Sequence, residues 1–135
     1  MGRIAAIDFG IKRMGIAISD ARKKVALPLS TVHGGIKEVA LFINSLQYEI
    51  EAIVIGLPLL MNGLKGAMAQ QVEAFAKELE IALQIPIFFL DERLSSRHAE
   101  VSLREVCLNR KKRNERMDQV AAALLLQSYL DRQSY

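Results

Sequence analysis

The sequence predicts a single α/β domain in which a mixed five-stranded sheet carries helices on both faces. Residues 3–8, 14–20 and 25–32 are strand-like runs joined by short turns, which is typical of an antiparallel meander. Two later runs, 52–56 and 85–90, are continuously apolar, as expected for strands buried on both faces. Helical segments separate and follow these runs. The order β-β-β-α-β-α-β-α-α therefore predicts crossover connections on both faces of one sheet.

Turn residues place the first three strands. Gly10 lies in the turn between the first two strands, and Gly34 with Gly35 follows the third. Pro28 has no backbone N–H group to donate to a neighbouring strand, so the third strand is predicted at an edge of the sheet. The first strand is then predicted at the centre of the sheet.

Apolar residues at helical spacing predict the helices. They are Val39, Phe42, Ile43 and Leu46 in the first helix, Met68, Val72, Phe75 and Leu79 in the second, and Ala99, Leu103 and Val106 in the third. Ser95 or Ser96 is the candidate cap of the third helix. A basic loop at 108–114 precedes the last helix, which is predicted from about Glu115 to Arg132. The centre of this helix is apolar nearly all round, as in a well-buried helix.

Length and composition limit the class of protein. The chain has 135 residues, of which 51% are hydrophobic, so one domain over 1–135 has enough apolar sequence for a sizeable core. No run reaches the roughly 18 apolar residues of a membrane span, and the N-terminus lacks a signal-peptide layout. The one cysteine, Cys107, has no internal disulfide partner and is expected in the core. These features predict a cytoplasmic protein that does not contact a membrane.

Acidic residues from distant parts of the chain are predicted to meet at one edge of the sheet. Asp8 ends the first strand, and Asp118 lies near the start of the last helix. The fifth strand ends at Asp91 and Glu92. Open α/β sheets place their sites at the carboxyl ends of such strands. Burying one carboxylate alone is costly, so three carboxylates together suggest a site for divalent metal ions.

Each carboxylate also has a simpler interpretation. Asp8 is a candidate cap for the backbone N–H groups of the turn that follows it. One of Asp91 and Glu92 is a candidate ion-pair partner of Arg93. Because successive strand residues face opposite sides of a sheet, only one of these two acids is expected to point at the site, and Glu92 is favoured. For Asp118 the alternative is a first-turn acid stabilised by the helix dipole.

Three other polar residues receive structural interpretations. Asp20, at the far end of the second strand, is interpreted as a turn residue. His98 lies near the predicted site, where proton transfer or a phosphate contact is one interpretation and a surface position on a helix is the simpler one. His33 is assigned no role. Two histidines and one cysteine at wide spacing do not make a zinc site.

Basic residues are clustered, although the formal net charge is only +3. Clusters of this kind favour polyanions through contacts with phosphate groups, which position a nucleic acid without reading its sequence. The alternative is a solvated loop that keeps the protein in solution. The candidates for binding substrate phosphates are Lys12, Arg13, Arg93, Arg110, Lys111, Lys112 and Arg113.

Five runs of the chain occur in the order and spacing of a known family. They are Ile7-Asp8-Phe9-Gly10-Ile11-Lys12-Arg13-Met14-Gly15-Ile16-Ala17-Ile18-Ser19-Asp20, Val54-Ile55-Gly56-Leu57-Pro58, Asp91-Glu92-Arg93-Leu94-Ser95-Ser96, Arg110-Lys111-Lys112-Arg113 and Met117-Asp118-Gln119-Val120-Ala121-Ala122. By these runs the chain resembles, over nearly its whole length, the YqgF/RuvX family of Holliday-junction-resolvase-like proteins. It departs from the family's pattern at Leu60, where a polar residue is usual, and at Leu64, where Ser or Thr is common.

The resemblance implies an RNase H-like fold and a nuclease that processes the 5′ end of the 16S rRNA precursor. Resolution of branched DNA junctions is the older proposal for the family. The implied partner is therefore a nucleic acid, either 16S rRNA precursor or branched DNA. Ribosomal particles that contain the precursor are a further expected partner. We expect the protein to act as a monomer or a weak homodimer.

The resemblance also implies a metal site. Nucleases of this fold class cleave phosphodiester bonds with two divalent ions, Mg²⁺ or Mn²⁺, held roughly 4 Å apart by oxygen ligands. By the matching motifs, Asp8 is the candidate to bridge both ions. Glu92, or alternatively Asp91, and Asp118 would complete the set of ligands.

Two other functions fit parts of the sequence. The pattern Asp8-x-Gly10-x-Lys12-x-x-Gly15 also resembles the first phosphate loop of actin-like sugar kinases. Those enzymes need two such domains around the nucleotide, and this chain has room for one. The second alternative is a non-catalytic RNA-binding factor of ribosome assembly that retains the fold.

Overall fold

The computed structural model describes residues 2–58, 62–91 and 110–133, with side chains described from Lys112 onward in the last range. These residues form five strands and three helices. The strands are β1 (Arg3–Asp8), β2 (Arg13–Ser19), β3 (Ala26–His33), β4 (Ile50–Leu57) and β5 (Ile87–Asp91). The helices are α1 (Ile36–Ser45), α2 (Ala67–Leu83) and α3 (Arg110–Gln133).

The five strands form one mixed sheet in the order β3-β2-β1-β4-β5. β2 pairs antiparallel with both β1 and β3, whereas β4 pairs parallel with both β1 and β5. The predicted central first strand and edge third strand are both confirmed. Because β1, β4 and β5 are parallel, their carboxyl ends lie at the same edge of the sheet, where ligand sites of open α/β sheets are found.

Each face of the sheet has its own apolar core. On one face α1 and α2 cover large side chains of the strands, among them Ile7, Ile16 and Ile55. On the other face α3 covers smaller ones, including Ala6 and Ala17. Helices therefore lie on both faces, as predicted. The small side chains beneath α3 allow that helix to lie close to the strands, because little volume separates the two backbones.

The start of α3 corrects one prediction. The segment 108–114 was predicted as a basic loop, but the helix already begins at Arg110 and includes Lys112 and Arg113. Arginine and lysine are good helix formers, so a run of them is compatible with a solvated first turn as well as with a loop. The helix predicted over about 95–106 lies outside the described residues.

Smaller differences concern the ends of elements. Leu46 was placed on the first helix by its spacing, but it is the residue that ends α1, with an extended backbone. The buried residues of α3 are Ala122, Leu125, Leu126 and Leu130, so burial follows one stripe and does not surround the helix. Within the described residues no helix is long and apolar enough to cross a membrane.

Candidate active site

Asp8 is the last residue of β1 and is partly buried. Its direct neighbour across the antiparallel pair is Gly15 of β2. Side chains alternate along a strand, and Ala6, two residues earlier, lies in the core beneath α3. The carboxylate of Asp8 therefore projects from the sheet face that α3 covers.

Asp118 reaches the same place from α3. A Cβ atom on Gly15 would overlap the backbone carbonyl oxygen of Asp118 and would lie 2.9 Å from its Cβ atom. Only a glycine at this position of β2 lets the helix pack so closely. Since Gly15 is also the cross-strand partner of Asp8, the structure brings the two predicted carboxylate residues to one face around this glycine.

Arg13 holds the side chain of Asp118. Its Nε–H group donates a hydrogen bond to Oδ2 of Asp118 over 2.5 Å, and both side chains are partly exposed. Burial raises the pKa of the Asp118 carboxyl above its usual value, although the Arg13 hydrogen bond and charge offset part of this effect. A hydrogen-bonded ion pair at this depth fixes the orientation of the carboxylate.

The position of Asp118 excludes one of its alternative roles. The dipole effect of a helix terminus is concentrated in the first turn. The helix begins at Arg110, so Asp118 lies well beyond that turn. The interpretation of Asp118 as a first-turn acid is therefore wrong. That interpretation depended on a predicted helix start near Glu115, whereas the helix starts five residues earlier, at Arg110.

Contacts with β3 fix the part of α3 around Asp118 over the sheet. The Thr31 hydroxyl donates a hydrogen bond to the backbone oxygen of Glu115 over 2.7 Å, and Gln119 donates to the same hydroxyl over 3.2 Å. Nε2 of His33 lies 2.9 Å from Oε1 of Glu115. His33, to which the sequence assigned no role, thus helps to set the position of Asp118 through α3.

A hollow of about 400 Å³ opens beside these residues. Its lining includes the predicted cations Lys12 and Arg13 together with Asp118, so the structure brings three of the predicted site residues into one cavity. Two apolar side chains that sequence reasoning missed, Ile11 and Met68, also line it. Met68 was named only in the apolar stripe of the second helix; it is 42% exposed, and Ile11 is 69% exposed. The available signal was an isoleucine in a turn between two strands.

Asp91 lies on the other face of the sheet from Asp8. It pairs in register with Leu57, which packs against the core beneath α1 and α2. Its neighbour Leu90 lies in the core beneath α3. Because side chains alternate, Asp91 projects toward the α1 and α2 side and away from the Asp8 carboxylate.

Several predicted site residues lie outside the described part of the chain. They are Glu92 and Arg93, together with the side chains of Arg110 and Lys111. Leu60, His98 and Cys107 also lie outside it. Lys112 and Arg113 are exposed on the first turns of α3, and Leu64 is 63% exposed. Among the residues that are described, no three potential ligand side chains of Asp, Glu, His or Cys form a cluster.

Asp20 is a turn residue, as predicted. Its Oδ1 accepts hydrogen bonds from the backbone N–H groups of Lys24 over 2.8 Å and Val25 over 3.0 Å. These bonds lower the pKa of the Asp20 carboxyl, with the Val25 bond contributing most. Asp20 follows β2 at the end opposite to Arg13, so it is well separated from the candidate site.

Comparison with protein families gives a match over nearly the whole chain. Residues 2–132 match a family model described as "RuvX: Holliday junction resolvase". A protein of Protochlamydia amoebophila is 48% identical over an aligned length of 139 residues, and the alignment covers 96% of this chain and 93% of the relative. A protein of Syntrophomonas wolfei is 45% identical, covering 96% and 94%. Both relatives carry the name "Putative pre-16S rRNA nuclease".

Solved structures show the same fold at low sequence identity. The chain is similar to Thermus thermophilus RuvC with a TM-score of 0.59 and 13% identity, covering 98% of this chain and 96% of the other. The same protein in complex with a Holliday junction substrate matches with a TM-score of 0.58, 15% identity and the same coverage. The predicted RNase H-like fold is thereby confirmed.

Proposed function

This chain belongs to the RuvX family, and we propose that it is a nuclease that hydrolyses phosphodiester bonds at the 5′ end of the 16S rRNA precursor. One structural observation carries the proposal. Asp8 and Asp118 come from opposite ends of the chain and meet on one face of the sheet, around Gly15, at the edge where the parallel strands end. The names of the curated relatives supply the RNA substrate.

The donor chemistry at this edge fits divalent metal ions. Carboxylate oxygens are the ligands that Mg²⁺ prefers, and Asp8 and Asp118 present them on the same side of the sheet. We assign Glu92 as the third ligand, because Asp91 projects from the other face. When bound, two ions of Mg²⁺ or Mn²⁺ supply an activated water and stabilisation of the leaving oxygen.

The side chains around the carboxylates hold the substrate and the site in place. Arg13 orients the Asp118 carboxylate through its 2.5 Å hydrogen bond and adds positive charge at the rim of the hollow. Lys12 is exposed beside it and is a phosphate contact in this proposal. Lys112 and Arg113, exposed on the first turns of α3, are further phosphate contacts in this proposal. Arg93, Arg110 and Lys111 are assigned the same role from their place in the sequence.

Junction resolution is the second candidate function. It is favoured by the description of the matching family model and by the fold shared with RuvC. Symmetric cleavage of two strands of a four-way junction would require a two-fold dimer of this chain. A precursor RNA needs only one active site for each cut, so a monomer or weak homodimer suffices for the first proposal. In that proposal the protein works on ribosomal particles in the cytoplasm.

A side-by-side cleavage assay tests the choice of substrate. Purified protein would be given labelled 16S precursor RNA and a labelled four-way DNA junction, each in Mg²⁺ and in Mn²⁺. We expect metal-dependent cutting of the RNA and none of the junction. Cutting of the junction alone would transfer the proposal to branched DNA. Binding of the RNA that is unchanged by chelation, without cutting, would replace the nuclease with a non-catalytic RNA-binding assembly factor.

A further inference from the structure

The hollow beside Asp118 has an apolar side as well as a charged one. Ile11, at the turn between β1 and β2, and Met68, in the first turn of α2, both line it and are 69% and 42% exposed. Single exposed apolar residues are common on protein surfaces and need no explanation. Two that converge on one cavity next to a predicted catalytic carboxylate suggest a ligand with an apolar surface.

The turn holds Ile11 outward in a fixed position. A side chain on Gly10 would overlap the backbone carbonyl of Arg13, so the turn is tight and closes on a glycine. The backbone N–H of Gly34 donates a hydrogen bond to the carbonyl oxygen of Lys12 over 3.1 Å, which ties the turn to the end of β3. Ile11 therefore lies at the rim of the cavity on a turn that is hydrogen-bonded to the end of β3.

The charged side of the hollow favours an anion. Its described lining contains two cations, Lys12 and Arg13, and one carboxylate, Asp118. Arg13 is hydrogen-bonded to Asp118, whereas Lys12 makes no ion pair within the described residues. The exposed ammonium group of Lys12 is thus available for an anionic partner. A ligand that matches both sides combines an apolar surface with an anionic group, as a nucleotide of the proposed nucleic-acid substrate does.

We propose that this hollow binds one unpaired nucleotide of the substrate, with its base against Ile11 and Met68 and its phosphate at Lys12. A cavity of about 400 Å³ lies at the lower end of the 300–1,000 Å³ range of small-ligand pockets. This volume suits one nucleotide and not a double helix of nucleic acid. A base inside a duplex is stacked on both faces and must leave the stack to reach such a pocket. The inference rests on the proposed function and adds that the strand is single beside the cleaved bond.

Binding measured without metal ions separates this inference from cleavage. A fluorescein-labelled single-stranded RNA and a blunt duplex of the same sequence would be titrated with protein in chelating buffer, and fluorescence anisotropy gives each Kd. We expect wild type to prefer the single strand. Ile11→Ala and Met68→Ala should each weaken single-strand binding by about fivefold and leave duplex binding unchanged.

Ile81→Ala is the matched control. Ile81 is 70% exposed and lines a different hollow near the end of α2, so its truncation removes an apolar side chain as exposed as that of Ile11 but away from the site. The inference is overturned if wild type shows no preference for the single strand, or if Ile81→Ala lowers that preference as much as the two site variants. Selective binding without any cleavage in Mg²⁺ or Mn²⁺ would overturn the proposed nuclease and leave this inference supported.

Discussion

Gly15 and Asp118 are packed so closely that a methyl group on the glycine would overlap the carbonyl oxygen of the aspartate. This contact joins a strand of the central meander to the C-terminal helix, which the sequence separates by about a hundred residues. The same glycine is the cross-strand partner of Asp8. One small residue thus sets the relative position of the two carboxylates that we assign to catalysis.

Replacing Gly15 with alanine should destabilise the protein. The added methyl group must push α3 away from β2, and overpacking of this kind costs about 3 kcal/mol at a site that cannot relax. Urea unfolding would measure the change in free energy. Gly35→Ala is the control, because a Cβ at Gly35 meets nothing within 4 Å, and it should cost about 1 kcal/mol or less. Equal losses in the two variants would refute the proposed steric role of Gly15.

Glu92 and Asp91 should differ in their effect on cleavage. Asp91 projects toward α1 and α2 because its strand partner is Leu57. Asp91→Asn should therefore keep most of the activity. Glu92→Gln should lower the cleavage rate by about a hundredfold or more, because losing even a hydrogen-bond partner of a metal ligand costs roughly 10- to 100-fold. Single-turnover cleavage of the precursor RNA gives both rates. A large loss in Asp91→Asn with normal activity in Glu92→Gln would reverse the assignment.

Asp20 should stabilise the protein in a pH-dependent manner. Backbone hydrogen bonds lower the pKa of its carboxyl below the usual value of 3.8 in the folded state. The stabilisation is therefore fully present above pH 3.8 and is lost as the pH falls through the lower folded-state pKa. Thermal unfolding of wild type and Asp20→Ala would be compared from about pH 7 down to about pH 2. We expect the variant to unfold at a lower temperature near neutrality and the difference to shrink in acid. A difference that stays constant with pH would exclude the charged carboxylate as its cause.

The first turns of α3 should contribute phosphate contacts. At 1.5 Å of helical rise per residue, Lys112 and Arg113 lie within roughly 10 Å of Asp118 along the helix axis. Replacing both with glutamine should reduce the salt dependence of RNA binding, because each lost contact with a single strand lowers the slope of log Kd against log salt by about 0.7. The control replaces Lys37 and Lys77 with glutamine, which makes the same change of net charge. These two lysines are exposed on α1 and α2, at the other face of the sheet. An identical slope change in the control pair would assign the effect to net charge alone.

The sheet was predictable because its signals are local. The continuous apolar run ending at Gly56 and the position of Pro28 are enough to place a buried strand and an edge strand. The start of α3 was not predictable, because the residues from Arg110 to Arg113 suit a helix as well as a loop. Local patterns therefore determine the elements more reliably than their ends.

Contacts between distant residues were beyond the sequence. The hydrogen bond from Arg13 to Asp118 joins residues 105 positions apart, and no periodicity reports such a pair. Isoleucine and methionine are residue types typical of a core, and only the packing of the turn and of α2 shows that Ile11 and Met68 are exposed. The sequence favoured Glu92 over Asp91, but the face that Asp91 occupies became visible only through its pairing with Leu57, because a run of apolar residues leaves strand register undefined by one position.

The central claim is that Asp8 and Asp118 form the catalytic site, and single-turnover cleavage of 16S precursor RNA in Mn²⁺ tests it most directly. Wild type would be compared with Asp8→Asn and Asp118→Asn, and with Asp20→Asn as a carboxylate control at the other end of β2. We predict a loss of about a hundredfold or more in the two site variants, with RNA binding and thermal stability retained, and wild-type activity in Asp20→Asn. Cleavage by either site variant at the wild-type rate would contradict the account.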